Sequence, residues 1–230
     1  MTTAYSGVGL PGVPAEIYPP QQDSHLLIDA MTEAGIVANA RVADLCTGSG
    51  VVAVAAAAAG AARVLAFDIC PRAVQCARLS AIASGANLQV HRGSWARAME
   101  FAPFDLVVAN PPYVPQGSLD DHRRIPAIAG PAQAWNAGAA GRSVLDPLCE
   151  AVPRLLAEGG TFLVVQSECS DIPRTVAALQ AGGLHTAVVA EQLIPFGPVM
   201  AARSHWLMEA GLLKPGSRQE RLAVIRADAQ

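Results

Sequence analysis

The ten residues Arg41-Val42-Ala43-Asp44-Leu45-Cys46-Thr47-Gly48-Ser49-Gly50 decide the architecture of this chain. A short apolar run, a glycine-bearing turn and the Ala/Val-rich stretch that follows, ending near Gly60, read as strand, turn and helix, the first half of a βαβ unit. The pattern then repeats. Val64-Leu65-Ala66-Phe67-Asp68 reads as the next strand, Pro71 occupies the first turn of a helix reaching about Ser84, and Leu88 to Arg92 supplies a third strand. Phe104 to Ala109 is the fourth, ended by Asn110-Pro111-Pro112-Tyr113, because proline cannot donate to a β ladder.

Outward from this centre, residues 1–40 form a lead-in: residues 7–20 are dense in Gly, Pro and Tyr, and Asp23 or Ser24 is expected to cap a helix running to about Gly35. Residues 114–141 show little periodicity and are a candidate substrate or lid insertion, and residues 192–219 form a second one. Between and after them, 142–156 reads as a helix stopped by Gly159-Gly160, 161–166 as a strand, 171–181 as a helix, 184–191 as a strand, and Arg221–Ile225 as the final strand. The expectation is a single α/β domain over residues 1–230, with a mostly parallel seven-stranded sheet, one antiparallel strand, and helices on both faces.

Composition agrees. The 230 residues carry a net charge of −3, with 52% hydrophobic and 15% charged, which excludes a polar disordered chain. The sequence has no Lys/Arg block that would drive sequence-independent binding to DNA. No signal segment opens it, and the apolar run Val51–Ala62 is too short for a membrane span, so a cytoplasmic protein without membrane attachment is expected. Five scattered cysteines without a CxxC pair argue against a disulfide framework and against structural zinc, and no metal site is expected.

The turn Asp44 to Gly50 lets backbone approach a ligand while the next helix presents free N–H groups to the same sheet edge. Asp68, ending the second strand, is placed to accept hydrogen bonds from ribose hydroxyls. The GxGxxG spacing of dinucleotide enzymes is missing, which favours S-adenosylmethionine over NAD. The candidate cofactor residues are Asp44, Cys46, Thr47, Gly48, Ser49, Gly50, Asp68, Ile69, Ser94, Trp95 and Asn110. Ser94 and Trp95 would flank adenine; the plainer readings are that Asp44 caps its turn and Trp95 packs in the core. Cys46 has no visible base partner and is not read as a nucleophile.

Asn110-Pro111-Pro112-Tyr113 would perform the chemistry. A planar nitrogen is a poor nucleophile because its lone pair is delocalised; the Asn110 side-chain oxygen and the Pro111 carbonyl can accept its N–H groups, the proline pair holds those acceptors, and Tyr113 packs over the planar group. A rigid proline turn with Tyr113 in the core is the alternative.

Together these residues resemble the class I S-adenosylmethionine-dependent methyltransferases, which have a Rossmann-like fold, and more narrowly the HemK/PrmC-like protein-glutamine methyltransferases that modify the GGQ segment of translation termination factors. The resemblance covers residues 17–191: Tyr18 to Leu27 looks like the family segment before the cofactor loop, Asp44–Gly50 like its first cofactor motif, and Asn110–Tyr113 matches its planar-nitrogen clamp. It implies that Asp44 and Gly48 frame the cofactor, that Asp68 holds its ribose, and that Asn110 and Pro111 bind a glutamine amide in a protein loop. A small activating subunit is compatible with it. With few residues ahead of Val42, the chain is expected to lack the N-terminal helical domain of the long family members. The sequence departs from the family pattern at Gln22, Ser94 and Ala140, each where an acid is common. Another protein, a small molecule or adenine N6 in nucleic acid offers a similar nitrogen, and a noncatalytic cofactor-binding protein is a further alternative. His122, Arg123, Arg124 and His205 read as loop residues without a catalytic partner.

Overall fold

Strand β1 (Arg41–Leu45) is buried from Val42 to Leu45 in the computed structural model, which describes residues 17, 19–117, 123 and 125–230. Such burial on both faces is what a central parallel strand requires, and it explains why Val42, Ala43 and Leu45 are apolar without alternation, Asp44 being the buried exception. It pairs in parallel with β2 (Arg63–Asp68) on one side and β4 (Phe104–Ala109) on the other. β3 (Leu88–Arg92) extends the sheet beyond β2, and β5 (Leu156–Ser167) extends it beyond β4. β7 (Gln219–Asp228) runs antiparallel between β5 and β6 (His185–Pro195), giving the order β3-β2-β1-β4-β5-β7-β6 among the described residues. The chain therefore reverses its direction of travel across the sheet between β1 and β4, the place where open α/β sheets leave a crevice at the carboxyl ends of their strands.

Helices cover both faces. Val42, Val64, Leu106, Val108 and Leu163 meet α1 (Gln22–Glu33), α2 (Val51–Ala58) and α3 (Pro71–Ser84) through Leu27, Met31, Val52, Ala56 and Val74. On the opposite face Leu45, Leu65, Phe67, Val107 and Phe162 form a second core with Leu148 of α5 (Leu145–Ala151), Leu179 of α6 (Ile172–Ala181) and Leu207 of α7 (Pro198–Glu209). A short α4 (Trp95–Ala98) follows β3.

Three expectations are corrected. Gly159 and Gly160 do not stop a helix: the helix ends at Ala151, a 3-10 turn through Pro153 follows, and both glycines lie within β5, whose register with β4 shifts between Phe104 and Leu106. A Cβ at Gly160 would sit 2.9 Å from the Phe104 carbonyl, so the bulge needs glycine there. Residues 192–219 are not irregular throughout: β6 continues to Pro195, and Pro198 opens α7, whose Val199, Met200, Arg203 and Leu207 are buried. The flanking prolines hid a helix that proline at the first turn in fact favours. Finally, the cap of α1 is Gln21, with Asp23 and Ser24 inside the first turn. Within 114–141, two 3-10 turns (Ala127–Ala129 and Ala132–Ala134) and a parallel bridge between Val114 and Asn136 are formed. Tyr18, His122 and Arg124 lie outside the described residues.

Candidate active site

A cavity of about 420 Å³ opens at the carboxyl edge of the sheet, lined by the ends of β1, β2, β3 and β4 and by α1, α7 and the start of β7. Every candidate site residue from the sequence lines it except Gly50. Gly50 instead lets two helices approach: its φ is 84°, and a Cβ there would meet the Ala77 Cβ of α3 at 2.9 Å.

At the cofactor end the loops are tied by carboxylates. Asp44 is 1% exposed and accepts hydrogen bonds from the Thr47 hydroxyl (2.6 Å) and from the Ala53 N–H (3.1 Å) in the first turn of α2. It thus caps both its turn and a helix whose N-cap glycine has no side chain to do so. Burial pushes the Asp44 carboxyl up to about 7, against the pull of those two bonds. Asp68 joins two loops, with one oxygen accepting from the Gly48 N–H (2.9 Å) and the other from the Cys70 N–H (2.8 Å). Each oxygen accepts one bond and has capacity for another, and Asp68 lines the cavity, which suits a vicinal diol. Burial, and secondarily the charges of Asp68 and Asp44, push the Cys46 thiol well above its ordinary range, so Cys46 holds no thiolate for nucleophilic work. The Ser94 hydroxyl accepts from the Ala96 N–H (3.3 Å) and caps α4, and Trp95 packs partly on the core, so both combine the plain reading with a place at the cavity.

At the other end the structure adds two residues that the sequence did not single out as site residues. The Asp23 carboxylate can only accept: Oδ1 takes the Ser24 hydroxyl (3.3 Å) and backbone N–H (2.6 Å), and Oδ2 takes the Tyr113 hydroxyl (3.1 Å). With its proton committed to Asp23, the Ser24 oxygen accepts from the Asn110 Nδ2 at 3.2 Å. The direction of every bond in this chain is fixed by the one member that cannot donate, and it turns the Asn110 amide so that its Oδ1 stays available as an acceptor at the cavity. Asn110 lies at the end of β4 because Pro111 and Pro112 forbid further pairing, and the turn is held from behind: the Val114 N–H donates to the Trp135 carbonyl (2.9 Å) and the Ala137 N–H to the Val114 carbonyl (3.0 Å).

No group of His, Cys, Asp and Glu able to hold a metal occurs among the described residues. His205 is exposed on α7 and pairs with Glu209 (3.3 Å), away from the cavity lining.

The family description "Methyltransferase small domain" matches residues 19–129. A candidate protein N5-glutamine methyltransferase of Methanocaldococcus jannaschii is 27% identical over 188 residues, 80% of this chain and 89% of that one. The release factor glutamine methyltransferases of Rhodospirillum rubrum and Mycolicibacterium smegmatis are 33% and 32% identical, over 74% and 76% of this chain. The chain spans 53% and 62% of the length of those two relatives. Among solved structures, the Mtq2-Trm112 complex of E. cuniculi, which methylates the eRF1 translation termination factor, superposes with a TM-score of 0.61 at 21% identity, covering 94% of this chain and 99% of that one. Fold and sequence point the same way: the sheet has a Rossmann-like order and superposes on that solved structure, and the sequence matches are to methyltransferases, to which this chain is similar. The sequence relatives named above are protein-glutamine methyltransferases.

Proposed function

We propose that this chain transfers a methyl group from S-adenosylmethionine to the side-chain amide nitrogen of a glutamine in a peptide chain release factor. The observation that carries this reading is the oriented amide of Asn110, held by Ser24 and Asp23 with its oxygen free in a cavity that Pro111 also lines. The relatives support the same substrate, since several act on release factors. The cavity residues fit the cofactor. Asp68 offers acceptors to a ribose, the Gly48 and Ser49 backbone leaves room for the amino-acid portion next to Asp44, and Ser94 and Trp95 border the space for a base.

When bound, the cofactor would supply a methyl group already activated on a sulfonium, its C–S bond breaking as the N–C bond forms. No strong base is therefore needed to drive the transfer, and the surplus N–H proton leaves to water afterwards. The Asn110 oxygen and the Pro111 carbonyl accept the two N–H groups of the target amide, which fixes the nitrogen and favours the geometry in which its lone pair is released from the carbonyl. Tyr113, pinned by Asp23, covers the planar group, and the apolar residues Val114, Val199 and Met200 keep water from the acceptor end. A release-factor loop is the partner we assign, working in the cytoplasm, and an activating subunit of the kind paired with the E. cuniculi relative belongs to the same proposal. Among the described residues no helix is long and apolar enough to cross a membrane.

The test is transfer of a labelled methyl group into a cell extract, resolved into protein, nucleic acid and small molecules, with Asn110→Ala as control. Label on a release factor that falls by about a hundredfold or more in the variant, measured at saturating cofactor, is the expected result. Label on nucleic acid bases would replace glutamine by adenine as the acceptor, and cofactor binding without any Asn110-dependent label would leave a binding protein.

A further inference from the structure

Glu220, the second residue of β7, lines the cavity yet has no part in the network just described. It is 4% exposed, sits in register with Ile194 of β6, and shares the cavity wall with Ile194, Met200 and Leu222. Its Oε2 is buried with no hydrogen-bond partner, and among the described residues no Arg or Lys pairs with it. The ionisable groups that face it are Asp23 from α1 and Glu168 and the Cys169 thiol from the turn after β5, none of them cationic; the Ser167 hydroxyl at the end of β5 adds a hydrogen bond. A desolvated carboxyl among like charges and apolar walls is costly unless something takes up its free lone pairs. Its strand β7 lies on the β4 side of the sheet, away from the loops after β2 and β3, and packs against α1, which carries Asp23, so Glu220 stands at the acceptor end rather than at the cofactor loops.

We propose that Glu220 is a specificity-determining contact for the acceptor: its free carboxylate oxygen accepts an N–H of a neutral, amide-bearing peptide and turns away an acidic one. This inference rests on the reading of the chain as an amide methyltransferase and names the feature that selects the acceptor. Burial pushes the Glu220 carboxyl up to about 7, with Ser167 opposing and Asp23 and Glu168 adding to the rise, so its accepting power is gained as pH rises through that value.

The test uses the full chain saturated with S-adenosylhomocysteine, which holds the Asp44 side of the cavity in one state. It is titrated with a blocked Gly-Gly-Gln peptide and its Gly-Gly-Glu counterpart at about pH 6 and about pH 8, beside Glu220→Gln. Thermal melting and affinity for the cofactor product verify that the variant is folded. The expected result is that the glutamine peptide binds wild type about tenfold more tightly at the higher pH, with the glutamate peptide discriminated against, and that Glu220→Gln loses both effects. A variant that keeps the wild-type pH dependence and discrimination overturns the inference while amide methylation by the wild type leaves the function standing. Equal or absent binding of the two peptides by the wild type overturns it as well, and a wild type that methylates no amide overturns both.

Discussion

Asp23 governs two side chains far from it in sequence, and its role is a matter of hydrogen-bond direction. As a carboxylate it forces the Ser24 hydroxyl to donate, and Ser24 in turn fixes which end of the Asn110 amide meets the acceptor. Asp23→Asn would allow Ser24 to be fed a proton and the Asn110 amide to turn over. Its kcat is expected to fall on the order of tenfold or more with cofactor affinity unchanged, measured by steady-state kinetics beside calorimetric titration of the cofactor. Asn110 itself was legible from sequence, because two prolines after a strand announce an exposed carboxyl end. Asp23 was not: in the sequence it stands only as a candidate helix cap, and its partner Tyr113 lies 90 residues away.

At the scale of elements, the turn carrying Asn110 depends on the segment that returns beneath it. Gly141 has a φ of 71°, and a Cβ there would lie 2.4 Å from the Tyr113 carbonyl and 3.0 Å from the Pro115 ring. Arg203, fully buried on α7, reaches the Pro115 carbonyl and lies 4.7 Å from the Trp135 ring centroid, closing the same corner from the other side. Gly141→Ala is therefore expected to cost about 1–3 kcal/mol in a denaturant titration and to depress methyl transfer more than cofactor binding, since the displaced backbone is that of Tyr113. A change in cofactor binding as large as that in transfer would show that the corner does not act through the acceptor turn. The strands and first three helices were legible because their apolar runs and turn residues agree with the fold. The bulge at Gly159-Gly160 and helix α7 were not, because a glycine pair and flanking prolines carry one local signal for two different structures.

Across the whole molecule, burial raises the pKa of the Asp44, Asp68 and Glu220 carboxyls among the described residues, Asp44 and Glu220 the furthest. Asp44 and Glu220 are each pushed up to about 7 by burial, whereas in the unfolded chain they ionise near their ordinary values of 3.8 and 4.5. Between those limits the folded state holds more protons than the unfolded one. The stability that these two groups contribute is thus full below about pH 4 and is lost as pH rises through about 7. The cofactor-free protein should melt at a higher temperature near pH 5.5 than near pH 8, and Asp44→Asn or Glu220→Gln should flatten that slope, as scanning calorimetry would show.

The seven-stranded sheet brings both ends of this site to one edge, the Asp44 and Asp68 loops beside the Asn110 turn, and that juxtaposition is the basis for assigning amide methylation. The measurement that addresses it most directly is mass spectrometry of a purified release factor after incubation with the enzyme and S-adenosylmethionine. The methyl group is expected on the side-chain amide of the GGQ glutamine, and to be absent with Asn110→Ala. A methyl group on any other atom, or one that persists without Asn110, would contradict it.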